Sequence, residues 1–309
     1  MQADEPEVPG NPAVPVVKRS EEFWIEGPGT AVFKVENTLY RLSKVSLMDQ
    51  SVAFFNMFSL PESESPEGTS ADYPIVLQGI NAKEWEDMLV SCVVIRWSPK
   101  PRPPEYWINI LKLASLYQIP HMVIKASYKL PAYNDEVLPP AKRLFLARAY
   151  NVPDLVDTGF KSLCHINQPL SLMTNDDIES IGFRAMVILA QTKEKIELLR
   201  KKVAITPPDY GNAGHVTECK ARQDCWRAWK SAWWDLFGRS INQPSLQAPW
   251  IAELWSYEVT LHMKKAVGMH PGCLTKMLEL TKKDQSSAKQ IHEAIELGIT
   301  RVKEGIVAM

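Results

Sequence analysis

The stretch Ala31-Val32-Phe33-Lys34-Val35-Glu36-Asn37-Thr38-Leu39-Tyr40-Arg41-Leu42 decides the fold class. Ala31, Phe33 and Val35 alternate with Val32, Lys34 and Glu36, the period of a half-buried strand. Glu36-Asn37 suits a turn, and Leu39 to Leu42 can return as a second strand, so a β-hairpin is expected here. Just upstream, Phe23-Trp24-Ile25 precedes the turn-forming Gly27-Pro28-Gly29 and lies outside the hairpin, as a candidate edge strand.

Downstream, Leu47, Ser51, Phe54, Phe55 and Phe58 fall at helical spacing, which predicts one helix with three phenylalanines on its core face. Residues 61–73 hold Glu62, Glu64, Glu67 and Asp72 without a basic residue and read as a mobile acidic loop. Ile75-Val76-Leu77 reads as a short buried strand, and Trp85, Met88, Leu89, Cys92 and Val93 as a helix face. Prolines at 99, 101, 103 and 104 interrupt the pattern before a helix pair, about 105–117 and 121–130.

Residues 131–140 form a boundary, because Pro139-Pro140 breaks any helix running through it. The pattern beyond is helical. Val156, Phe160, Leu163 and Cys164 share a face, Thr174 with Asp177 starts the next helix, and the longest helix spans about 182–203 until Pro207-Pro208 stops it. Residues 210–220 read as a loop, about 221–237 as a Trp-rich helix and 243–249 as a loop, with further amphipathic helices in 250–309. The expected organisation is a Pro-rich acidic tail over 1–20, an α+β domain over 21–131, a helical continuation over 140–205 and a Trp-rich helical region over 206–309.

A formal net charge of -1 provides no global field for nucleic acid or anionic lipid. The longest compact apolar run, 88–95, is far short of the roughly 20 residues a membrane span needs. The N-terminus lacks the basic start and apolar stretch of a secretory signal. Five scattered cysteines do not resemble a disulfide framework, so reduced thiols in cytoplasm or nucleus are expected.

The ordered set Val32 to Arg41, Leu47, Ser51 to Phe54 and Met57-Phe58 resembles the opening of BTB/POZ domains, especially the divergent mushroom-type fungal versions. Pro74 to Leu77, Trp85 to Cys92, Trp107 to Tyr117, Leu144 to Pro153 and Leu163-Cys164 continue the resemblance in order, over about 22–200. Ser43 and Val93 stand where the family usually has histidine and tyrosine. The resemblance implies a non-enzymatic adaptor that self-associates, binds a target protein and in some members recruits it to a cullin ubiquitin ligase or a transcriptional complex. It implies no catalytic residue and no cofactor. The residues singled out for protein contact are Phe23, Trp24 and Ile25 at the edge, and Leu60 and Glu62, a hydrophobic residue two places before a glutamate, for a cullin.

Nucleophile-elbow and phosphate-loop signatures are missing from the sequence. Asp176 and Asp177 fit helix capping better than acid/base chemistry. His215, Cys219, Cys225, His262, His270 and Cys273 fall together in the last hundred residues. Cys219, Cys225, His270 and Cys273 are the candidate zinc set, the alternative being buried thiols and surface histidines. The five residues between Cys219 and Cys225 exceed the usual gap of about two to four, so no metal ligand is assigned. A zinc-binding or enzymatic C-terminal region is the second functional reading. Trp226, Trp229 and Trp233 interleave with Lys220, Arg222, Arg227 and Lys230, but their helical spacing points to a core stripe, not a nucleic-acid surface.

Overall fold

The computed structural model describes residues 17–60, 66–92, 101–165, 170–235, 268–284 and 286–307. The chain divides into two units, 1–137 and 138–309, with the division inside the proline-marked stretch 131–140.

In the first unit the alternating stretch becomes strands β2 (Thr30–Val35) and β3 (Thr38–Ser43), paired antiparallel from Val35↔Thr38 to Thr30↔Ser43. Glu36 closes the turn with φ 52°, a left-handed conformation uncommon outside glycine, asparagine and aspartate. β1 (Lys18–Trp24) lies parallel to β3, and β4 (Ile75–Val76) lies parallel to β2. The sheet order is β1-β3-β2-β4, so β2 and β3 are central.

That placement corrects the half-buried reading of β2: Val32 is buried along with Ala31, Phe33 and Val35. The Val32 N–H donates to Gly68 O at 2.9 Å, which ties the described part of the acidic loop to the sheet and corrects its reading as mobile throughout. β4 is also less enclosed than expected, with Val76 exposed, because it is an edge strand.

The predicted Phe-rich helix is two helices, α1 (Lys44–Gln50) and α2 (Val52–Ser59). Ser51 adopts extended angles between them, and its hydroxyl accepts the Phe54 N–H and donates to Tyr117 O at 2.5 Å. A serine at this position caps the second helix instead of continuing the first. The break rotates the phenylalanines: Phe54 is buried, Phe58 half-buried and Phe55 51% exposed.

α3 (Ala82–Cys92), α4 (Pro104–Leu116) and α5 (Pro120–Lys129) complete the unit, the last two each starting with proline, where no intrahelical N–H is needed. Trp85 of α3 is fully buried, with ring centroids of Phe33, Tyr40, Phe54 and Tyr117 at 5.7, 6.5, 6.2 and 5.7 Å. This aromatic cluster joins sheet to helices.

The second unit is helical among its described residues. α6 (Pro140–Ala149) packs on α7 (Asp154–His165), where Val156, Phe160, Leu163 and Cys164 are all buried as their shared face predicts. Thr174 caps α8 (Asn175–Ile181), its hydroxyl accepting the Asp177 N–H. α9 (Phe183–Ile205) follows, then α10 (Arg222–Trp233), α11 (Pro271–Lys283) and α12 (Ser286–Val307). Ile291, Ala294, Ile295, Ile299, Val302 and Ile306 form the buried stripe of α12, which packs on α7 and α9. Residues 140–205 and 206–309 are therefore parts of one unit, because the last helix completes the core of the earlier ones.

Candidate functional site

The residues expected to contact proteins separate by burial. Phe23 is 4% exposed, with its ring beside Tyr40, so it belongs to the core of the first unit and is corrected as a contact residue. Trp24 is half-buried, its Nε1 donating to Glu26 at 2.8 Å and its ring covered by the Arg19 guanidinium. Ile25 is exposed. β1 does lie at the sheet edge, but Lys18, Arg19, Glu21 and Glu22 charge it, and its pairing slips between Arg19 and Trp24. Charge and irregular register are the devices by which edge strands resist pairing with another chain.

Exposed apolar side chains lie on several elements of the chain, α1 and α2 among them. Val45 on α1, and Val52, Phe55 and Met57 on α2, are all exposed, and Leu60 ends α2 at 68% exposure. Val52 and Phe55 stand three apart and share a face. Glu62 lies outside the described residues. The sequence pattern missed this surface because Phe55 sits at core spacing only if Ser51 leaves the helix unbroken.

The second grouping forms in the C-terminal unit. A loop after α9 carries His215 and Cys219, the first turn of α10 carries Cys225, and the first turn of α11 carries Cys273. Lys276 Nζ donates to His215 O at 3.0 Å and Arg222 to Asn212 Oδ1 at 2.8 Å, fixing the loop against both helices. Gly214 allows close approach: a Cβ there would stand 2.9 Å from Met277 Cε. One nitrogen of His215 and the sulfurs of Cys219, Cys225 and Cys273 lie within 4.8 Å of one another, and the three cysteines are buried.

This places His215, and not the His270 suggested by spacing, beside the three sulfurs. His270 is exposed, and its Nδ1 accepts the Gly272 N–H as the cap of α11. Its backbone N–H donates to Cys225 Sγ at 3.2 Å. His215, the residue passed over, takes its place. The signal that could have found it is the His215-x-x-x-Cys219 spacing, compact enough for one loop to supply two ligands. His262 lies outside the described residues.

The electrostatics differ among the thiols. Burial pushes half-buried Cys92 up to about 11 and buried Cys164 up to about 12, which disfavours the reactive thiolate at both. Burial likewise pushes Cys225 up to about 11. At Cys219 burial is the largest influence and acts upward, but hydrogen bonds from the Cys225 and Cys273 thiols and the Ala221 backbone, with the Arg222 charge, together hold the group below its ordinary value. Burial, and then Arg222, lowers the His215 pKa, which favours the neutral imidazole. Three sulfurs and one imidazole nitrogen, all at helix starts or in one loop, form a donor set chemically suited to a tetrahedral divalent metal.

Trp229 and Trp233 are buried, with Trp233 Nε1 donating to Val203 O at 2.9 Å. Trp226 is half-buried, with Lys230 over its ring. No helix among the described residues is long and apolar enough to cross a membrane. Comparisons with protein-family models, curated proteins and solved structures found no match to this chain.

Proposed function

We propose that the chain is a protein-interaction adaptor that self-associates through its N-terminal unit and offers its helical C-terminal unit to a target protein. The observation that carries this reading is the set of exposed apolar side chains on α1 and α2: Val45 at 62%, Val52 at 47% and Phe55 at 51% exposure. Aliphatic and aromatic groups gathered on neighbouring helices are favoured at interfaces and costly to leave in water. The order of elements adds support. The hairpin, the short strand β4, α3 and the pair α4 and α5 follow one another in the order of the segments that resemble BTB/POZ domains, with α1 and α2 standing where one helix was expected.

The contact surface in this reading shifts from the charged strand β1 to α1 and α2. Phe55→Glu puts a charge into the interface without touching the core. Light scattering of the full chain at tens of micromolar should then give half the wild-type mass, while Val76→Glu on the other side of the unit's sequence changes nothing. Equal masses for wild type and Phe55→Glu would refute the reading. A cullin scaffold is the partner that exposed Leu60 could anchor: Leu60→Ala should weaken a cullin N-terminal fragment by more than about 1 kcal/mol, and calorimetry showing no heat with wild type would remove that partner.

A further inference from the structure

We propose that His215, Cys219, Cys225 and Cys273 bind one zinc ion in a closed, structural site that fastens the loop after α9 and the start of α10 to the start of α11. This goes beyond the adaptor reading and does not depend on it.

Distance is the first argument. Tetrahedral zinc with bonds of about 2.3 Å to sulfur holds its thiolates about 3.8 Å apart. Cys219 Sγ and Cys225 Sγ lie 3.5 Å apart, and all four donor atoms fit within 4.8 Å. A disulfide would need a separation of about 2.0 Å, and the five described cysteines are all free.

The second argument is polarity. His215 Nδ1 is buried and has no hydrogen-bond partner among the described groups. A ring nitrogen shielded from water without a partner costs stability, and a metal ion is the partner that three adjacent sulfurs would share with it. The surroundings already donate to sulfur: the Val216 N–H to Cys273 Sγ at 3.4 Å, and the His270 N–H to Cys225 Sγ at 3.2 Å. Backbone N–H groups aimed at sulfur stabilise thiolate, the form that binds metal. Cys225 and Cys273 also sit in the first turns of α10 and α11, where free N–H groups and the helix dipole favour negative charge.

Chemistry selects the ion. Three thiolates and one imidazole make a soft tetrahedral set that suits zinc, and four protein ligands leave no open position for substrate or water, so the site is structural. On binding, the three thiols release their protons to solvent, each sulfur forms a bond to zinc, and neutral His215 contributes a ring-nitrogen lone pair. No electron is transferred. His270 acts beside the site through its backbone N–H and its capping Nδ1.

The test uses untagged full-length protein. Metal analysis of the purified chain should give one zinc per chain. After chelation, added cobalt should produce the visible bands of a tetrahedral cobalt–thiolate centre, and zinc should displace them. His215→Ala and Cys273→Ser should bind less than a tenth as much zinc, whereas His270→Ala should remain stoichiometric. Wild type with no zinc and no cobalt–thiolate absorption would overturn the proposal. So would His270→Ala losing the metal while His215→Ala keeps it, or mass spectrometry showing a Cys219–Cys225 disulfide in the freshly isolated chain. Because the wild-type cobalt spectrum needs no variant, misfolding of a mutant leaves the test decisive.

Discussion

Trp85 should be the side chain on which the N-terminal unit most depends. It is fully buried and stands beside four other aromatic rings, drawn from β2, β3, α2 and the end of α4. Trp85→Ala removes the largest fully buried side chain of the unit and leaves a cavity that rigid aromatic neighbours cannot fill. Such truncations cost about 3–5 kcal/mol, a large part of the roughly 5–15 kcal/mol that holds a domain folded. Trp85→Phe should behave differently. The indole Nε1 is buried without a hydrogen-bond partner among the described groups, so phenylalanine keeps a ring in the cluster and removes a donor whose burial costs about 1–3 kcal/mol. The gain offsets much of the lost volume, and the net cost should stay under about 2 kcal/mol. Urea titration of the full chain, followed by hydrogen exchange in peptides from β2, β3 and α4, isolates this unit from the other. With a slope near 2 kcal/mol per molar urea, Trp85→Ala should lower the midpoint by about 2 M and Trp85→Phe by less than about 1 M. A shift below about 0.5 M for the alanine variant, or equal shifts for both, would refute the reasoning.

Trp229, fully buried at 5.7 Å from Trp233, should cost about 3–5 kcal/mol as Trp229→Ala; a variant with an unchanged thermal midpoint that has lost single-stranded DNA binding would instead mark a nucleic-acid surface. Gly298→Ala should lower stability by about 1–3 kcal/mol despite alanine's better helix propensity, because its Cβ would stand 2.6 Å from buried Phe160 and 2.8 Å from Thr192 Oγ1; a rise in thermal midpoint would contradict the close helix packing. Cys164 should make stability fall with alkalinity. Its thiol is largely unionised in both states below about pH 8, and above that the unfolded chain ionises while the folded one does not until about 12, a loss of up to about 1.4 kcal/mol per pH unit. Cys164→Ala should flatten that slope between pH 9 and 10, and an unchanged slope would show that the thiol is not shielded.

The elements with strict periodicity were legible in the sequence. The hairpin, the Trp85 helix and the Val156-to-Cys164 face each rest on one local pattern, and the elements form where it places them, with Trp85, Met88, Leu89 and all four residues of the Val156-to-Cys164 face buried. Phe55 and Val32 were not legible, for two different reasons. A capping serine looks like any serine in a helical pattern until its hydroxyl meets the Phe54 N–H, and a central strand is told from an edge strand only by its neighbours. The zinc candidate failed on a third ground. Linear spacing favoured His270, three residues from Cys273, but a helix cap used that ring nitrogen, and the loop brought His215 to the sulfurs from 58 positions before Cys273. Long-range closure of this kind leaves no periodic trace.

Sedimentation velocity of the wild-type full chain over a concentration series measures self-association directly. A species of twice the chain's 35.0 kDa should prevail at tens of micromolar, where an interface of standard size, burying about 1,600 Å², would hold. A single 35.0 kDa species at every concentration would contradict it.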